Sequence, residues 1–295
     1  MNMLTRDLEV RAMSETPWYN RGLFSSLNLR QKTLLTIALT GLVLVVIFLC
    51  GTFIDANLPT DFTTRMKPPS FEHIFGTDWM GRDMFLRTIK GLSLSIVIGI
   101  GASVISSIIA TVLAFVASFN RYCDEFVSWL IDLFASIPHI LLIMMISIAL
   151  GKGAFGVIMA VAFSHWVNLT RVLRAEVLQI NTSEYVALSK KFGRGKLWIA
   201  KEHILPLVLS QIFVGTLLVF PHAIMHESSV TFLGFGLSPH EPAIGIILSE
   251  SMSYLAMGAW WLAFFPGLAL LIVVLLFDII GDNLKRLFDP SEANN

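Results

Sequence analysis

Charge is scarce in this sequence. Asp, Glu, Lys and Arg make up 14% of the 295 residues, 21 of each sign, so the formal net charge is zero. A chain without a net field has no overall attraction for nucleic acid or anionic substrates, and any charge effect must come from local asymmetry. There are only 2 cysteines, Cys50 and Cys123, too few for a disulfide framework. They fall on opposite membrane faces in the topology below, which excludes pairing. No GxxxxGK[ST] phosphate loop is present: Gly193-Arg194-Gly195-Lys196 has neither the spacing nor the following hydroxyl. HExxH and Gly-x-Ser-x-Gly are also missing, so ordinary hydrolase chemistry has no support. Neither an internal repeat nor a low-complexity tract is visible.

What the chain has instead is apolar bulk. Hydrophobic residues reach 55% and the mean hydropathy is +0.72, values that belong to integral membrane proteins. A helix crossing the hydrocarbon layer needs about 20 apolar residues. Six runs meet that length, at roughly 33–54, 92–118, 126–150, 155–175, 206–229 and 259–281. Pro138, Pro221 and Pro266 fall inside three of them and predict kinks. Residues 1–30 are polar, and no small-residue cleavage site follows the first run, which is therefore expected to remain as an anchor.

Basic residues orient the spans. With the amino terminus inside, inward segments hold fifteen of the 21: Arg6, Arg11, Arg21, Arg30, Lys32, Arg121, Arg171, Arg174, Lys190, Lys191, Arg194, Lys196, Lys201, Lys285 and Arg286. The outward segments hold the other six. The positive-inside rule then places both termini in the cytoplasm. The expected layout is a cytoplasmic segment 1–32, a first helix 33–54, an outer loop 55–91, a membrane core 92–286 and a tail 287–295.

One inward stretch, residues 184–206, is unusually polar. Tyr185, Leu188 and Phe192 recur at i, i+3, i+7, which predicts one apolar helical face. Gly193 and Gly195 interrupt it, and a second short helix is expected from Lys196, with Leu197, Ala200 and Ile204 on one side, before Pro206 opens the next span. With Lys190, Lys191, Arg194, Lys196 and Lys201 against Glu184 and Glu202, the stretch also reads as a surface helix resting on anionic lipid.

Its spacing carries a resemblance. Glu184-Tyr185-Val186, Gly193 nine residues after Glu184, and His203-Ile204-Leu205-Pro206 resemble the coupling loop of binding-protein-dependent ABC importer permeases. Ala187-Leu188-Ser189 departs from that family's Glu-Ala-Ala core. The outer loop segment Gly76-Thr77-Asp78-Trp79-Met80-Gly81-Arg82-Asp83, followed by Arg87 and Gly91, looks like the GTDxxGRD signature of the peptide and nickel importers within that family. Asp132 with Ile137-Pro138, the run Phe232 to Gly236 with Pro239, Pro242 and Gly245, and Gly281-Asp282 with Asp289-Pro290 extend the likeness over about residues 70–290. Ile244 stands where the family commonly has tryptophan, and His240-Glu241 where it often has Pro-Thr.

The resemblance implies an all-α integral membrane fold of the type I ABC importer permease kind, with six transmembrane helices and a coupling helix-turn-helix. It implies a C-type permease subunit for dipeptides or oligopeptides, with nickel or a metal chelate as the alternative cargo. It implies a related B-type permease as heterodimer partner, two ATPase subunits that carry ATP and Mg, and an extracytoplasmic binding protein. No cofactor is expected on this chain. Glu184, Tyr185, Ala187, Gly193, His203 and Pro206 become the ATPase-coupling residues, and Gly76, Thr77, Asp78, Gly81, Arg82 and Asp83 the outer-mouth motif. Asp78, Arg82 and Asp83 are of the right types for an ion-pair knot there.

A last group stands apart. His222 and His226 lie at i, i+4 near the outer end of the fifth span, with Glu227 adjacent and His240-Glu241 in the next loop. Imidazoles at that spacing can hold a transition metal. Two readings stay open: an ordinary pair of interfacial histidines with a packing glutamate, or a cargo path through His222, His226, Glu227 and His240. An intramembrane metalloenzyme built on His222, His226 and Glu227 is a more distant alternative. Asp132 and Asp278, near inner span ends, are expected to serve helix packing or gate hydrogen bonds.

Overall fold

A computed structural model describes residues 29–55 and 57–288. The expectations for Arg6, Arg11, Arg21, Asp289-Pro290 and the tail from residue 289 onward lie outside these residues, whereas Leu287 and Phe288 continue the last helix instead of opening the tail. The described chain is helical: α1 (Leu29–Phe53), α2 (Met84–Ala117), α3 (Arg121–Ala135), α4 (His139–Ala149), α5 (Gly153–Asn181), α6 (Glu184–Lys191), α7 (Lys196–Ile199), α8 (Leu205–Phe232), α9 (Ile244–Leu255) and α10 (Trp261–Phe288). No strand occurs among the described residues, only an isolated bridge between Thr77 and Asp83. Five helices are long and apolar enough to cross a membrane, or six spans if the bent pair α3–α4 counts as one.

That pair corrects the expected third span. Instead of a single helix over 126–150, the chain bends by 94° between Ala135 and His139. Proline disfavours helical geometry in the residue before it and lacks a donor, and Pro138 becomes the N-cap of α4. Pro221 and Pro266, by contrast, sit inside unbroken helices α8 and α10. The second span also begins earlier than expected, at Met84, because Asp83 caps it by accepting from the backbone N–H groups of Phe85 (2.8 Å) and Leu86 (3.1 Å).

Helix α2 is the hub of the bundle. Its buried face carries Gly91, Gly99, Ala102, Ser103, Ser106, Ala110 and Ala114, and small residues let helix backbones approach where lipid supplies no hydrophobic drive between them. One apolar cluster joins Leu92 and Ile96 to Phe220, Ile224, Ile247 and Leu262. A second joins Ile98 and Ala102 to Ile143, Val157, Val161 and Ala223. The third packs Ala110 and Ala114 against Val127, Trp166 and Leu173. Both cysteines are free thiols.

The tight packing extends to α9. A Cβ placed on Gly245 would meet Ser228 O at 2.5 Å, Thr231 Cβ at 2.7 Å and Phe232 N at 2.9 Å, whereas one on Gly101 meets only Ile158 at 3.6 Å. Gly245→Ala is therefore expected to lower stability by about 1–3 kcal/mol through overpacking, while Gly101→Ala leaves it unchanged. Thermal aggregation of the two variants, followed by gel filtration of fluorescent fusions, measures the difference.

Candidate functional site

Three constellations carry the chemistry, and the first lies before α2. Asp78 is buried and works through both oxygens. Oδ1 accepts from the backbone N–H groups of Met80 (2.8 Å) and Arg82 (2.9 Å); Oδ2 accepts from Arg82 Nε (2.6 Å) and Arg87 Nη1 (3.1 Å). Arg87 then donates from Nη2 to Glu250 of α9 at 2.6 Å. The knot expected of Asp78, Arg82 and Asp83 is thus built differently. Asp83 serves as helix cap and pairs with His73 Nδ1 at 2.7 Å, while Arg87 and Glu250 take its place. Thr77 is buried and donates to Thr64 O; Gly76 and Gly81 adopt positive φ where the loop turns.

At the opposite end of the bundle, α6, a turn and α7 form the elbow expected from residues 184–206. Gly193 adopts φ +77°, a conformation that favours glycine, and Gly195 caps α7 with ordinary φ −69°. The stripe of Tyr185, Leu188 and Phe192 is exposed, as are Ala187, Leu197 and Trp198. What anchors the elbow is a different set. Val186, Ile199 and Ile204 are buried against Val177 of α5 and Val208 of α8, so of the side expected to carry Leu197, Ala200 and Ile204, Ile204 is buried while Leu197 is exposed. The second helix is also not separate from the following span. It passes through a π-turn at Ala200–Ile204, with Leu205 N–H reaching Ala200 O, directly into α8, where Pro206 occupies the first turn. His203 closes the elbow by pairing with Ser189 Oγ at 2.8 Å, its ring edge-on to Tyr185 and Trp198. Arg194 stacks over Trp198 at 4.6 Å.

The third constellation lies between these ends, where α3, α4, α5 and α8 line an open cavity of about 840 Å³. Its wall holds four imidazoles, His139, His165, His222 and His226, together with Arg171. Three of them, His139, His165 and His226, are half-buried and bring one ring nitrogen each to within 4.8 Å of the others. His222, one turn along α8, lines the cavity without joining that set. Glu227 does not face the cavity. It is fully buried and accepts hydrogen bonds from Ser95 (2.8 Å), Thr231 (3.1 Å) and Ser228 (3.2 Å), tying α2 to α8. His240 is exposed in the loop before α9 and lines no part of the cavity. A hydrolytic centre with Glu227 as base is thereby set aside. His139 and His165 escape a motif search because they are distant in sequence, although an imidazole within an apolar span is a signal on its own. Asp132 is exposed, 3.9 Å from Arg171, and Asp278 is half-buried on α10.

Five apolar helices and a bent pair make this a multi-pass membrane protein, and its relatives make it a transport subunit. The chain belongs to the family of binding-protein-dependent transport system inner membrane components, whose profile spans residues 102–293. It is 35% identical over 231 residues to a putative peptide transport system permease protein of Brucella suis, covering 78% of each chain. With the Bacillus subtilis dipeptide transport system permease protein it shares 31% over 252 residues, 84% of this chain and 79% of the relative. The oligopeptide counterpart of B. subtilis is 32% identical over 261 residues, 86% and 85%. The fold resembles a chain of the inward-facing MetNI methionine ABC transporter, with a TM-score of 0.56 and 19% identity over 69% of this chain and 97% of the other.

The buried arginine bridge is the part of the loop most exposed to test. Arg87 and Asp78 side chains are 6% and 2% accessible, so Arg87→Met leaves a buried carboxylate short of a partner and is expected to cost about 3 kcal/mol. Glu250→Gln, at a position 29% accessible, is expected to cost about 1 kcal/mol or less. Melting temperatures of the purified variants should rank in that order.

Proposed function

We propose that this chain is the membrane-spanning permease subunit of an ATP-driven importer that passes dipeptides and oligopeptides across a bacterial cytoplasmic membrane. In this reading it pairs with a related B-type permease, and two separate ATPase subunits bind ATP and Mg. An extracytoplasmic binding protein delivers cargo to the Asp78 end, and the Glu184 end, like both termini, faces the cytoplasm. The names of the relatives support peptide cargo. The excess of basic residues in the segments on the Glu184 side supports the orientation.

The elbow is the observation that carries the reading. Tyr185, Leu188, Phe192, Leu197 and Trp198 present an exposed apolar surface ringed by Lys190, Lys191, Arg194 and Lys196, suited to a groove on a soluble partner. Behind it, Val186, Ile199 and Ile204 pack onto Val177 and Val208, on the helices that supply His165, His222 and His226 to the cavity. A push on the outer surface of the elbow is thus delivered through close-packed side chains to two cavity walls. The second reading, import of nickel or a metal chelate by the same architecture, is favoured by the three-imidazole cluster.

The two glycines of the elbow provide the test. A Cβ on either meets nothing within 4 Å, but only Gly193 has positive φ, so Gly193→Val is strained by about 1–2 kcal/mol and Gly195→Ala is not. In liposomes with all partner subunits, binding-protein-stimulated ATP hydrolysis is expected to fall at least severalfold in Gly193→Val and to persist in Gly195→Ala. Unchanged stimulation in Gly193→Val within an assembled complex would instead identify the stretch as a lipid-resting surface helix.

A further inference from the structure

The cavity holds a donor set that peptide passage does not require. His139 follows the bend at Pro138, His165 sits mid-way along α5 and His226 lies on α8, so three helices each contribute one imidazole. The Nε2 atoms of His139 and His165 are 3.4 Å apart. Two imidazoles bound to one tetrahedral ion at about 2.0–2.1 Å stand about 3.3 Å apart, so this pair already has the required spacing. The orientation of His165 fits as well. Its Nδ1 lies 3.0 Å from Val161 O, and a carbonyl only accepts, so Nδ1 carries the proton and the lone pair is on Nε2, the atom facing His139. Ser164 Oγ, at 3.0 Å from the same Nδ1, steadies the ring. A histidine held by a backbone carbonyl through its far nitrogen is the usual arrangement behind a metal ligand.

Charge then says what accompanies the ion. The cavity lining includes four neutral-capable imidazoles and the cation Arg171, with no carboxylate among its residues. A bare dication would add two positive charges to a membrane-embedded site whose lining holds no carboxylate. A chelate carrying its own carboxylate offsets that charge and offers Arg171 a second anion besides exposed Asp132 at 3.9 Å. The volume of about 840 Å³ leaves room for a small ligand beside the ion. We propose that His139, His165 and His226 bind a divalent transition metal through three imidazoles, and that the position left open takes an anionic amino-acid- or peptide-like chelator anchored by Arg171. The inference deepens the importer reading and rests on it for the claim that the ligand is cargo. Three neutral ligands with an open position suit a contact that must be released.

The experiment uses the purified complex of this chain with its partner subunits, stripped with EDTA and titrated with Co2+. One Co2+ per copy, with the intense visible absorption of a tetrahedral nitrogen-ligated ion and displacement by Zn2+, is the expected result. His165→Ala and His226→Ala should weaken Co2+ binding by about tenfold or more, and the conservative His165→Gln guards against misfolding when assembly is checked by gel filtration. His240→Ala, outside the cavity, should bind as the parent does. Labelled glycyl-histidine should then be retained only with Zn2+ present, and retention should fall in Arg171→Gln. Absence of a Co2+ signal in the assembled parent, or peptide retention indifferent to Zn2+ and to His165→Ala, overturns the proposal. A complex with binding-protein-stimulated ATP hydrolysis but no metal site refutes this inference alone. Metal bound without any such stimulation upholds the site and removes the importer reading.

Discussion

The architecture depends on how closely helices can approach α2. Lipid offers apolar side chains the same environment as the bundle interior, so association must come from van der Waals contact and hydrogen bonds between near backbones. Glycine, alanine and serine along one face of α2 make that contact with α5, α8 and α9, and Ile224, Phe220 and Val161 fill the spaces their missing side chains leave. Two serine hydroxyls on the same face bond across to α8, Ser95 donating to Glu227 and Ser107 accepting from Thr216, whereas Ser106 Oγ is buried without a partner. A bulkier α2 would spread the bundle.

The two ends of the bundle are built on different physics. Near Met84 the chain is held by charge, through Asp78, Arg82, Arg87 and Glu250 largely shielded from solvent, which joins the loop before α2 to α9. Near Glu184 it is held by apolar burial of Val186, Ile199 and Ile204, with the polar face turned outward. Charged hydrogen bonds fix direction as well as distance, whereas apolar burial is non-directional. The elbow is thus joined to α5 and α8 by apolar packing, and the loop before α2 is joined to α9 by ion pairs.

Between them, the 94° bend at Pro138 does more than shorten a span. It turns α4 so that His139 meets His165 and His226, with ring centroids 4.5 and 4.7 Å away. The three-imidazole cluster is completed because one span is broken.

Much of this was legible in the amino-acid order. Hydropathy set the membrane class and the number of spans, because twenty apolar residues have few other uses. The positions of Gly193 and of Gly76 to Asp83 marked the elbow and the loop, since turns and short-range ion pairs depend on neighbours in sequence. The rest required tertiary structure. Periodicity put Tyr185, Leu188 and Phe192 on one face of α6 but did not say that Val186 would be the residue buried, because that choice belongs to Val177 and Val208 on other helices. The i, i+4 spacing of His222 and His226 suggested a local metal pair. The fold instead takes His226 alone and joins it to His139 and His165, while Arg87 finds Glu250 across 163 positions. Local spacing determines which side chains share a face; only packing decides what that face meets.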